Sequence, residues 1–89
     1  MPPAGPGPHL ATLSHGGRFW DVYLELEEAR VPGEPFRGRL VFSPADAADG
    51  EAPLRTALIL IEPTPEAALR RARELSTHQL LGLLRSCMA

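Results

Sequence analysis

The side chains with chemical potential in this chain are three histidines, one cysteine and a scatter of hydroxyls, and their spacing suits neither metal nor nucleophile chemistry. His9, His15 and His78 stand far apart, and no two of them have the i,i+3 or i,i+4 spacing that puts ligands on one helical face. Cys87 is the only cysteine, so one chain can build neither a disulfide nor a thiolate metal site. Ser14 and His15 are neighbours, but adjacent residues on a strand point to opposite faces, so they cannot form a serine–histidine dyad. The glycine pair Gly16-Gly17 lacks the strand-to-helix context of a phosphate-binding loop. Carboxylate pairs such as Glu27-Glu28 are too common to indicate acid–base work. The sequence therefore predicts no enzyme, no catalytic residue, no cofactor and no bound metal.

Aromatic and arginine side chains make a second pattern. Phe19, Tyr23, Arg37 and Arg39 fall on one face of two expected strands, the outline of a platform on which single-stranded bases stack. Asp21, Glu25 and Glu27 share that face and repel phosphate. Arg70, Arg71 and Arg73 form another basic cluster, interleaved with Glu66 and Glu74. The formal net charge of −2 gives no general pull toward nucleic acid or anionic lipid. A solvated salt-bridge face accounts for both clusters.

These side chains sit on a small frame. The chain has 89 residues, one domain's worth. Met1 to Pro8 holds four of the ten prolines and two of the eight glycines. Such a stretch buries too little apolar surface to offset its ordering entropy, which predicts a disordered tail over 1–8 and a single domain over 9–89. A core that small gains from a partner chain. No apolar run reaches the ~18 residues of a membrane span, and no basic segment precedes an apolar one as in a secretion signal. With its lone thiol, the expectation is a soluble cytoplasmic protein. All nine basic residues are arginine, and asparagine is absent, which fits a GC-rich, bacterial genome.

The elements follow from periodicity. Gly16-Gly17 separates two β-like runs and suits the positive φ angles of a tight hairpin turn. That turn pairs His15 with Arg18, Ser14 with Phe19, Leu13 with Trp20, Thr12 with Asp21 and Ala11 with Val22, gathering the apolar partners on one face. The second strand alternates: Trp20, Val22, Leu24 and Leu26 inward, Phe19, Asp21, Tyr23, Glu25 and Glu27 outward. A third strand over 36–43 sends Phe36, Leu40 and Phe42 inward with Gly38 between, and Arg37 and Arg39 outward. Either Glu25–Arg37 or Glu25–Arg39 is a favourable cross-strand pair, so charge leaves that register open. A polar loop over 44–54 precedes a fourth strand over 56–61 that is apolar on both faces. Such a strand should be covered on both. Either the loop carries it across to the first strand, in the order three-two-one-four, or a second subunit covers it.

The last segment is helical. Thr64 caps it, Pro65 fits the first position and Glu66 suits the dipole. Ala68, Leu69, Ala72 and Leu75 form its stripe, and Glu66–Arg70 and Arg70–Glu74 are i,i+4 pairs. At about 100° per residue, Ser76 and Gln79 would interrupt that stripe, and Ser76 to Gln79 reads as a capping box. A break near Ser76 follows, then a second short helix.

The fold class is thus α+β: about four mostly antiparallel strands in a hairpin and meander, followed by one kinked or two short C-terminal helices packed on the Trp20–Leu26 face. Leu80, Leu81, Leu83 and Leu84 cannot all face one small sheet, and Leu81 points away from the others unless the helices wrap their own sheet completely. Surplus apolar surface of this kind marks a protein contact. The expected role is a protein-interaction module that self-associates as a homodimer, with Phe19, Tyr23, Arg37, Arg39 and Leu81 as candidate interaction residues. The alternative is a weak single-stranded nucleic-acid binder using the aromatic and arginine face.

Overall fold

The computed structural model describes residues 7–27 and 31–88. The expected tail lies outside the described residues as far as position 6. Gly7 and Pro8 run beside the second strand: Leu24 N–H donates to the Pro8 carbonyl at 3.0 Å. A Cβ at position 7 would run into the Leu24 carbonyl, so this approach requires the glycine.

The alternating runs form β1 (His9–His15), β2 (Arg18–Glu27) and β3 (Phe36–Pro44). Gly16 and Gly17 take φ angles of 63° and 77°, as the two-residue turn demands. The β1/β2 register is the one that turn sets, from His15 opposite Arg18 to Ala11 opposite Val22. Beyond Ala11 the register slips. His9 stands opposite Tyr23, leaving Leu10 as the extra residue of a β-bulge. The bulge turns Leu10 toward the core, where it packs against both apolar clusters, and sends His9 to the outer face.

β2 and β3 pair with Glu25 opposite Arg39 and Glu27 opposite Arg37. Of the two registers that charge permits, this one brings Leu24 opposite Leu40 and Val22 opposite Phe42, all fully buried.

The segment expected as a fourth strand forms two short pieces, β4 (Leu54–Arg55) and β5 (Leu60–Glu62), both paired antiparallel to β3. It returns to β3, so the order three-two-one-four does not form, and the sheet runs β1–β2–β3 with β4 and β5 sharing the far border. Between them the chain bulges. Phe42 faces Leu54, Gly38 faces Leu60, and the intervening segment is two residues longer than the stretch of β3 it spans. An insertion of two preserves the pleat: Leu54, Thr56 and Leu60 stay on the core side while Arg55 and Ile61 stay outside. At the bulge, Thr56 replaces part of the ladder. Its N–H donates to the Leu40 carbonyl at 3.0 Å, and its hydroxyl accepts from Leu40 N–H at 3.0 Å. Coverage of both faces fails here, because Ile59 and Ile61 are exposed.

The C-terminal segment is two helices, α1 (Pro65–Arg73) and α2 (Thr77–Met88). Thr64 caps α1 by accepting from Ala67 N–H. Ser76 and Gln79 close the capping box: Ser76 N–H donates to Gln79 Oε1 at 2.8 Å, and Gln79 N–H donates to Ser76 Oγ at 3.1 Å. The expected i,i+4 pairs of α1 do not close; among the described residues its ion pair is Arg71 with Glu62, at 3.8 Å. Both helices cover the Trp20–Leu24 face of the sheet. α2 sends Leu80 and Leu84 into a cluster with Leu13, Trp20, Val22, Leu40 and Phe42. α1 lays Ala68 and Ala72 on Leu24 and Leu60. Leucines fill depth under one half of the sheet, while alanines bring the other helix close.

Candidate functional site

The helices leave the other sheet face open among the described residues, and that face carries a network of ion-paired side chains. Alternation along β2 and β3 brings Phe19, Tyr23, Arg37 and Arg39 onto it together. Phe19, near the hairpin turn, is 63% exposed. Tyr23 is half-buried, and the His9 ring meets it edge-on at 5.3 Å. Arg39 is occupied: its guanidinium lies 3.4 Å from Glu25 and 3.7 Å from Glu27. Arg55, arriving on β4, reaches Glu25 at 3.5 Å. Val41 sits between Tyr23 and Arg55 in the ladder and is only 1% exposed, shielded by long side chains on a nominally open face.

Leu81 belongs to the other layer. It is half-buried against the α2 cluster rather than pointing away from it, so the five expected interaction residues do not make one surface.

Two polar constellations escape a reading of sequence alone. In the first, the β1 bulge carries His9 over Asp21, with Nε2 2.9 Å from Oδ1. The Thr12 hydroxyl donates to the same Oδ1 at 2.9 Å and lies 3.4 Å from the His9 ring nitrogen. Chemically this is a carboxylate held by two donors. The imidazole nitrogen that would have to activate Thr12 is spent on the aspartate, and the hydroxyl proton already points there. The one sequence hint was the apolar doublet Leu10-Ala11 in an otherwise alternating strand.

In the second, Arg18 clamps the loop between β3 and β4. Its guanidinium makes paired bonds to Glu51, at 2.8 and 3.0 Å, and reaches Asp46 at 3.0 Å. Glu51 also accepts from Ala48 N–H. The hydrogen bonds from Arg18, then that from Ala48, lower the Glu51 carboxyl to a pKa of about 2, and the same pairing raises Arg18 above its ordinary value. The guanidinium carbon sits 5.4 Å from the Trp20 ring centroid, so one cation fixes both the loop and the rim of the core. The partners are too distant in sequence for any local pattern to announce them.

An open cleft of about 630 Å³ lies where the loop after β2 meets β5, lined among the described residues by Val31, Pro35, Phe36, Ile61, Glu62 and Pro63. Among the described lining residues, its ionisable side chains are two carboxylates, Glu34 and Glu62. Among the described residues, no cluster of three or more His, Cys, Asp or Glu is placed to hold a metal ion, and no helix is long and apolar enough to cross a membrane. Cys87 is a free, half-buried thiol against the α2 cluster.

The borders of the sheet complete the surface. The Phe19 carbonyl accepts from Ala45 N–H, so the backbone groups of Phe19, and by alternation Asp21, turn toward β3. Their partners across the hairpin, Ser14 and Thr12, therefore turn theirs outward from β1. Among the described residues, no strand lies beyond it. Residues 9–15 include no Asp, Glu, Lys, Arg or Pro.

In comparisons with known proteins, no family model, no curated protein and no solved structure matches this chain.

Proposed function

We propose that the protein is a small, cytoplasmic protein-interaction module that associates with copies of itself, as a homodimer. One observation carries the reading: β1 is a seven-residue border strand with outward-turned backbone groups and no charged or proline residue to deter another strand. The exposed apolar side chains Val31, Ile59 and Ile61 add support at the other border. Size-exclusion chromatography with light scattering tests it. The mass should rise from the 9.6 kDa of one chain toward twice that value as concentration increases through the micromolar range. A single-chain mass throughout would sink the proposal.

Single-stranded nucleic-acid binding has one observation in its favour, the exposure of Phe19 beside arginines. Against it, Arg39 is held by Glu25 and Glu27, and Asp21 is on the same face. Because Trp20 is buried, the useful probe is anisotropy of a labelled oligonucleotide at low salt. A flat titration is expected.

A further inference from the structure

We infer that the self-association proposed above, on which this inference rests, runs through β1: two copies pair their β1 strands antiparallel about a two-fold axis at Leu13, joining their sheets into one.

The register follows from which backbone groups are free. Across an antiparallel pair, residues that exchange both hydrogen bonds must both turn toward the neighbour. On β1 these are Thr12 and Ser14. Three two-fold registers use them. With Thr12 on the axis, Ser14 meets Leu10 of the second copy, which the bulge has displaced from the ladder. With Ser14 on the axis, Thr12 meets Gly16, whose φ of 63° belongs to the turn. With Leu13 on the axis, Thr12 of each chain meets Ser14 of the other, and every outward N–H and carbonyl of the pair finds a partner in strand geometry.

Side chains agree with that choice. Leu13 meets its own copy on the core side, where the neighbouring Leu13 and Trp20 are already buried over α2. Thr12 and Ser14 meet on the outer face, a hydroxyl pairing that sheets favour. Ala11 meets His15. No carboxylate or guanidinium stands opposite a like charge, because residues 9–15 contain none. The occupant is thus a second copy: the strand's own sequence completes the ladder with no carboxylate or guanidinium opposed, and an isologous contact closes after two chains.

Amide hydrogen exchange on the full chain tests the register. Thr12 and Ser14 N–H groups should exchange freely in dilute solution and slow by about tenfold or more at concentrations where light scattering reports the dimer. Ala11 and Leu13, bonded to β2, should be protected under both conditions. Ser14→Pro removes an outward donor that the monomer does not use, which border strands tolerate. It should give a single-chain mass at concentrations where the native protein is dimeric, with an unchanged far-ultraviolet spectrum. If the native dimer forms while both amides stay unprotected, or if a folded Ser14→Pro variant dimerises as the native chain does, this interface is wrong and self-association stands elsewhere. If the native chain is monomeric at every concentration, both proposals fall.

Discussion

At the β4/β5 border the chain bulges by two residues, the pairing shrinks to short pieces, and a threonine hydroxyl stands in for a ladder acceptor. At the β1 border the strand is longer and uncharged, and its irregularity is confined to the bulge at Leu10, near one end. The first border is interrupted in the way sheets avoid joining other sheets, and the second is not. Apolar content ranks them the opposite way, since the interrupted border exposes isoleucines and the continuous one exposes hydroxyls. What separates them is the run of backbone groups each presents, so the more apolar segment is the poorer template for a new strand.

Core truncation should produce the largest effects and rank the borders. Leu13→Ala and Leu60→Ala each remove a buried leucine, at a cost of about 2–5 kcal/mol. Leu13 packs among Trp20, Phe42 and the α2 leucines, while Leu60 meets alanines. Urea unfolding should place Leu13→Ala at the upper end, and the reverse ranking would break the picture of a better-filled β1 half. Next comes Thr56→Val, which keeps the shape but leaves Leu40 N–H without its acceptor. A loss of about 1–3 kcal/mol is expected, and a neutral result would mean the bulge does not depend on that hydroxyl. On the β1 side, Gly17→Ala forces an alanine to a φ of 77° and should cost roughly 1 kcal/mol in thermal unfolding, with no packing change to offset it. The smallest effect is electrostatic. Glu51 has a folded pKa of about 2 against an ordinary 4.5, so its contribution is fully present above pH 4.5 and is lost as pH falls toward 2. The stability gap between the native chain and Glu51→Gln should be constant near neutrality and close across that window. A gap that persisted at pH 2 would show that the Arg18 clamp is not what anchors the loop.

Much of the architecture was legible residue by residue. Gly16-Gly17 fixed the hairpin and its register because a two-residue turn leaves no slack. Thr64-Pro65 and the reciprocal Ser76–Gln79 bonds marked where each helix starts, since capping involves residues three apart. The candidate site was less legible. Its aromatic and arginine members were placed on the right face by alternation. The bonding of Arg39 to Glu25, shared with Arg55 from β4, depends on which strand lies beyond β3. Alternation gave no face for His9, which a bulge sets over Asp21 on the outer side, and the seating of α2 folds Leu81 onto the core instead of leaving it pointing away.

The order of residues alone determined the turn, the inward and outward sets of β2 and β3, and the break between the helices, because each depends on geometry repeating within a few positions. Tertiary structure decided the β2/β3 register, both bulges, the return of the fourth segment to β3, and the Arg18–Glu51 clamp. In each of those, several local arrangements satisfy the chain equally well, and the choice falls to contacts between segments far apart in sequence that exist only once the helices close the sheet.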